Sequence, residues 1–189
     1  MELFLNIKKI VKEKTNDMLI SEETKLQLDE LVKYSFDANA VVDNYAYNLA
    51  YYRFPNIEEI VHLSFAHKFP AFSDIITDMM IRLDARPIRK GLPDHVEDFN
   101  GDLYRIFEGI LGLCNDYRGY IINVIDTAEM NGDYEVKIKL EEFLVMFEPY
   151  RKQADVWFEY AKRYKDDYKS FDVHFEDITT FIKTEDESE

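Results

Sequence analysis

From Ser21 to Phe54 the chain runs 34 residues without a glycine or a proline. Through this stretch Leu28, Leu31, Ser35, Ala38, Val42, Tyr45, Leu49 and Tyr52 recur at steps of three and four. That spacing draws one apolar stripe along a single long helix, roughly 50 Å from end to end at about 1.5 Å per residue. Thr24 and Gln27 predict a capping box at its start, and "FPN" stops it. A rod of this length must bury its stripe against other rods, because no strand-like run follows to offer a sheet.

The rest of the chain supplies those rods. Asn56 predicts an N-cap with Glu59 at the capping-box position, opening a second segment that reaches about Lys90. Pro70 predicts a kink or a fresh start inside it. "GLPDHVEDFNG" reads as a loop or short crossover. A third helix is predicted over residues 102–130, with Leu103, Ile106, Ile110, Leu113, Tyr117, Tyr120, Val124 and Ala128 as its stripe. "NGD" at 131–133 breaks the chain, with Asn131 or Gly132 suited to a left-handed cap and Asp133 to capping the next helix. The fourth helix is expected from Tyr134 to about Tyr164, with a kink at Pro149. Four long helices with a long connection between the second and third describe the ferritin-like type of four-helix bundle. The chain thus divides into an amphipathic extension over residues 1–20, a bundle over 21–165 and an acidic tail over 166–189. The tail's "FDVHFEDITTFI" is apolar enough to dock on the bundle or on a neighbour, while "KTEDESE" is expected to be mobile.

Composition narrows the function. The formal net charge is −15, which repels nucleic acid unless a local basic patch overrides it. The N-terminal lysines Lys8, Lys9, Lys12 and Lys14 are offset by two glutamates, and with the acidic tail they argue against DNA binding. Cys114, the one cysteine, lies in an apolar run and reads as a buried structural thiol. No signal peptide and no apolar run of about 20 residues is present, so the expectation is a soluble cytoplasmic protein without a membrane span.

Several stretches together resemble the ferritin-like superfamily, and within it the starvation-induced DNA-protection ferritins (Dps). "YNLAYYRF" ends the first helix, "AHKF" opens the next stretch and "LDARPIRKGLP" closes it. "LCNDYRGYIINVIDTAEMNGDYEV" matches the family's third helix, its turn and its fourth-helix start, and Trp157 stands where the family often has a tryptophan. The resemblance covers roughly residues 28–164. It implies a homo-oligomer and an iron site shared between two subunits. One subunit would give two histidines and its neighbour an Asp and a Glu one turn apart. His67 falls on the second histidine, but Arg53 falls on the first, and Ile81 and Ala85 fall on the acidic pair. Asp84 lies one residue off and Asp78 one turn earlier. An arginine stays protonated and repels a cation; pairing of Arg53 with Asp74 or Asp78 is the expected substitute.

A second ferritin pattern places a Glu-x-x-His pair inside one bundle. Glu59 and His62 in "EEIVH" have that spacing, although they stand at a helix start where a cap and a surface histidine are the ordinary reading. The candidate metal ligands are therefore His67, Asp78, Asp84, Glu59 and His62, with iron as the implied ion. Asp37 and Asp43 lie beside the first stripe as further carboxylates that could turn inward, and Asp74, Asp78 and Arg82 have the spacing of an ion-pair ladder. His95 and His174 are isolated. Two functions follow from different classes: an iron-binding or iron-oxidising protein of oxidative-stress protection, or a non-catalytic ferritin-like scaffold. A partner-binding module using the acidic surface is a third.

Overall fold

The computed structural model describes residues 18–180. The expected amphipathic segment up to residue 17 and the "KTEDESE" end lie outside the described residues. Helix α1 spans Glu22–Tyr51. The second rod comes in three consecutive pieces: α2 over Pro55–Glu59, a π-helical segment over Ile60–Ala66, and α3 over Lys68–Arg82. Helices α4, Leu103–Asn131, and α5, Tyr134–Arg163, complete the bundle. A short helix α6, Tyr168–Val173, and a 3₁₀ turn, Glu176–Ile178, follow. All regular structure among the described residues is helical, as the sequence predicts.

The stripes bury as expected, with informative exceptions. Leu28, Leu31, Ser35, Ala38, Val42 and Leu49 of α1 are inside, whereas Tyr45 and Tyr52 are half-buried. On α4 the line passes through Cys114, Tyr117 and Ile121, and Tyr120 is exposed. Tyr120 instead lies on Tyr34, ring centroids 4.3 Å apart. The shared interior is aromatic. Phe72 contacts Tyr117, Phe143 and Phe147, while Phe65 and Phe107 contact Trp157. Rings of this kind each bury roughly 150–250 Å², which makes them the main source of bundle cohesion. One buried hydroxyl pair is satisfied within it. Ser35 Oγ donates to Leu31 O, which leaves Tyr117 to donate to Ser35 across 2.8 Å.

Caps depart from prediction in instructive ways. Ser21, not Thr24, caps α1, its Oγ accepting from Thr24 N–H. Glu59 caps nothing: α2 begins at Pro55, with Phe54 in the cap position and no side-chain cap bond. The open N–H groups there are taken by the tail, since Asp172 accepts from Ile57 N–H at 2.9 Å and from Asn56 Nδ2 at 3.1 Å. Gly132 ends α4 at φ 76°, the left-handed cap that glycine adopts freely. Asp133 makes no side-chain cap for α5; its carboxylate reaches back to Ser21 N–H and Oγ instead. For Ile57 and Asp133 a partner distant in the chain takes the group, which local spacing alone does not reveal.

The second rod ends at Arg82, eight residues before the expected Lys90, and the segment from there to Asp102 is an irregular strap along α1. Ile88 N–H donates to Asp29, Lys90 pairs with Glu30, and the Arg89 guanidinium lies 3.5 Å over the Phe36 ring. His95 Nε2 meets Asp37 Oδ1 at 2.9 Å, and the Asn48 amide clamps both Glu97 O and Phe99 N–H. The strap therefore holds α1 by side chains where a helix would have packed by ridges. The tail docks on its own bundle: Phe171 and Phe175 are buried against Phe107, and Trp157 Nε1–H donates to Thr179 Oγ1. No described helix is long and apolar enough to cross a membrane.

Candidate metal centre

An α-helix turns about 100° per residue, so residues five apart stand roughly 140° apart and do not share a face. His62 and His67 are five apart. The π segment over Ile60–Ala66 closes its hydrogen bonds from i to i+5. That wider turn brings both imidazoles to one side, their ring centroids 5.1 Å apart. Asp43 faces them from α1. One ligand atom each from Asp43, His62 and His67 lies within 4.8 Å of the other two, the span of a single ion's donors.

The carboxylate carries the strongest signal. The Asp43 side chain is 21% exposed, yet its Oδ1 is sealed from solvent and has no hydrogen-bond partner. His62 Nε2 is the near neighbour at 3.7 Å, beyond hydrogen-bond reach. A buried acceptor left unmade costs about 1–3 kcal/mol, more when charged. Burial raises the Asp43 carboxyl above its ordinary range, and His62, His67 and a hydrogen bond from Asn39 to the carboxyl group oppose that shift. Nδ1 of His62 faces Glu58 Oε1 at 3.4 Å. A carboxylate behind one imidazole nitrogen leaves the other free to coordinate.

The main-chain geometry has a local cause. Pro70 has no N–H, so the carbonyl of Ala66, four residues earlier, loses its helical partner. Ala66 is fully buried and its oxygen accepts from Asn39 Nδ2 at 3.2 Å. Asn39 stands one turn before Asp43 on α1. One face of α1 therefore both satisfies the broken helix and presents the carboxylate to it.

The sequence candidates scatter. His62 and His67 come together, with Asp43 as the carboxylate. Glu59 is exposed and outside the cluster; its neighbour Glu58 is the residue that reaches His62. Asp78 is exposed on α3, and Asp84 is exposed in the turn beyond it at φ 54°. Asp37 is engaged by His95. Arg53, at φ 69° after α1, makes no ion pair with Asp74 or Asp78, and Asp78 makes none with Arg82, among the described residues. Ile81 is 60% exposed and Ala85 is buried. Cys114 is fully buried and burial pushes its thiol up, consistent with a structural role.

The bundle interior is a different matter. A di-iron centre there draws a carboxylate from each helix. The buried carboxylates among the described residues are Asp29 and Asp172. Asp29 is paired with Lys25 at 2.6 Å, and Asp172 caps α2. The positions facing one another at mid-bundle are Phe, Tyr, Trp and aliphatic side chains. This donor set does not fit an interior di-iron group.

The arrangement of helices is that of a ferritin. The structure superposes on an open-pore ferritin from the hyperthermophilic archaeon Archaeoglobus fulgidus with a TM-score of 0.75, covering 85% of this chain and 97% of that one at 10% sequence identity. The fold is thus the all-α, ferritin-like four-helix bundle. No protein-family model and no curated protein sequence matches the chain.

Proposed function

We propose that this protein binds one divalent transition-metal ion per chain through Asp43, His62 and His67, and holds it without the interior di-iron chemistry of a ferroxidase. The observation that carries the reading is the sealed, unpartnered Oδ1 of Asp43 opposite two imidazoles. Two imidazoles and one carboxylate suit ferrous iron, zinc and their neighbours, and the resemblance to Dps points to iron. Withholding ferrous ion from peroxide would then be the route to oxidative protection, with a homo-oligomer as the working assembly. Binding requires neutral imidazoles and an ionised Asp43, so the ion competes with protons for the site.

The test is anaerobic calorimetric titration of the chelator-stripped full chain with Fe²⁺ and with Zn²⁺, followed by oxygen-uptake measurement. One ion per chain is expected, with Asp43→Ala and His62→Ala each weakening it by about 100-fold or more, since even outer-shell losses reach 10–100-fold. Oxygen consumption stays at the buffer rate. Two ions per chain with faster oxygen uptake would replace this reading by the ferroxidase one. The alternative, a non-catalytic scaffold without metal, is favoured by the apolar interior. It prevails if neither ion binds while sedimentation still finds a defined oligomer.

A further inference from the structure

Between the C-terminal half of α3 and the N-terminal half of α5 lies an open groove of about 330 Å³. Its floor is Ile76, Met79, Leu140 and Phe143, and its walls are Ile75 and Met146, which are 46% and 40% exposed. Neither the strap nor the tail contributes a lining residue to it.

The chain enters the described region at the mouth of that groove. Leu19 N–H donates to Leu83 O at 3.1 Å, one residue past the last groove residue of α3. Ser21 N–H and Oγ are held by Asp133, immediately before α5, and Ile20 is buried between these two anchors. Residues 18–21 are thus pinned across the end where α3 and α5 meet. Seventeen residues precede them.

Those residues carry a matching pattern. Leu3, Phe4, Ile7, Ile10 and Val11 fall at helical spacing on one face, with Lys8, Lys9 and Lys12 elsewhere around the turn. The groove rim carries two acids, Asp78 and Glu142, and two bases, Arg82 and Lys139, with Lys139 paired to Glu142 at 2.7 Å, so the match lies in the apolar face alone. Eleven residues taken as a helix would span roughly 16 Å, longer than the roughly 9 Å from Leu140 to Met146 along α5.

We infer that residues 1–17 of this chain occupy the α3/α5 groove of their own subunit, with Phe4, Ile7 and Ile10 on its apolar floor. An amphipathic segment tethered within a few residues of an open apolar groove meets it at high effective concentration, and a second copy would have to displace it.

Photo-crosslinking of the full chain with benzoylphenylalanine in place of Ile75 tests this, using a mixture of ¹⁴N and ¹⁵N chains. The exposed site leaves the fold intact, which circular dichroism verifies. The expected products join α3 to peptides from residues 1–17 with both halves of one isotope, and Phe4→Ser/Ile7→Ser lowers their yield at least several-fold. Products of mixed isotope overturn the inference in favour of a neighbouring copy. Partner peptides drawn from residues 18–189, or no crosslink to residues 1–17, overturn it as well.

Discussion

Two prolines interrupt two rods, and the outcomes differ. Pro149 sits inside α5, which continues unbroken from Tyr134 to Arg163. Pro70 sits in the first turn of α3, behind a π segment and a break. Each proline orphans the carbonyl four residues before it. For Pro149 that residue is Val145, which is 75% exposed, so water can take the bond. For Pro70 it is Ala66, fully buried, and Asn39 from α1 donates to it. A backbone fault at the surface is met by solvent, and the helix runs on through it. The same fault inside must be met by a neighbouring side chain, and here that brings Asp43 beside two histidines.

The comparison can be broken first at the interior both rods share. Trp157→Ala removes a buried ring that touches Phe65, Phe107 and Phe175. A loss of about 3–5 kcal/mol is expected by chemical denaturation; a loss below 1 would mean that the rods are not joined through these rings. Next, Pro149→Ala restores an N–H to an exposed turn and should stabilise the protein by about 1–3 kcal/mol, within the cost of an interior helical proline. No gain would show that the bend at Pro149 is itself used in packing.

Asn39→Ala removes the side-chain donor to the buried Ala66 carbonyl and should cost about 1–3 kcal/mol. In Asn39→Ala/Pro70→Ala much of that cost should return, because residue 70 can then donate to Ala66. Additive behaviour in this double-mutant cycle would remove the proposed link between the two positions. Deleting the half-buried Ser64 is expected to return the π turn to α geometry with the two histidines four residues apart, about 40° from one another and still on one side. Metal affinity should then stay within about 10-fold of the parent; a loss of about 100-fold, the size expected for a lost ligand, would mean that the π turn itself and not the shared face sets the site.

The smallest effect concerns charge. Burial raises the Asp43 carboxyl, so ionising it costs more in the folded chain than in the unfolded one. Stability of the metal-free protein therefore declines as pH rises from the ordinary value of 3.8 through the raised one, and remains lower above it. Asp43→Asn removes this step. In chelator at neutral pH its unfolding midpoint should equal or exceed that of the parent, and the gap should close below the ordinary value. A clear loss at neutral pH would make Asp43 a structural residue and weaken the metal reading.

The rods themselves were legible because apolar spacing along α1, α4 and α5 is a local property. So was the left-handed stop at Gly132. His62 and His67 were legible as residue types with ligand chemistry. Their union was not, because five-residue spacing places them on different faces of an ordinary helix. Glu59 fits a spacing rule, yet Glu58 holds the position that reaches His62. Asp78 and Asp84 lie near, but off, a family register that falls on Ile81 and Ala85, and both stand exposed and apart from the cluster.

What this sequence determines by itself is that four long amphipathic helices must share one aromatic interior, since helical period and the scarcity of turns act residue by residue along the chain. What only the tertiary structure decided is where the unmet polar groups found partners: Asp172 at the start of α2, Asp133 at Ser21, Asn39 at Ala66, and Asp43 facing the histidines with one oxygen still unpaired. Hydrogen bonds and ligand sets are satisfied through space, between residues that chain distance does not relate, so they appear only once the rods are packed.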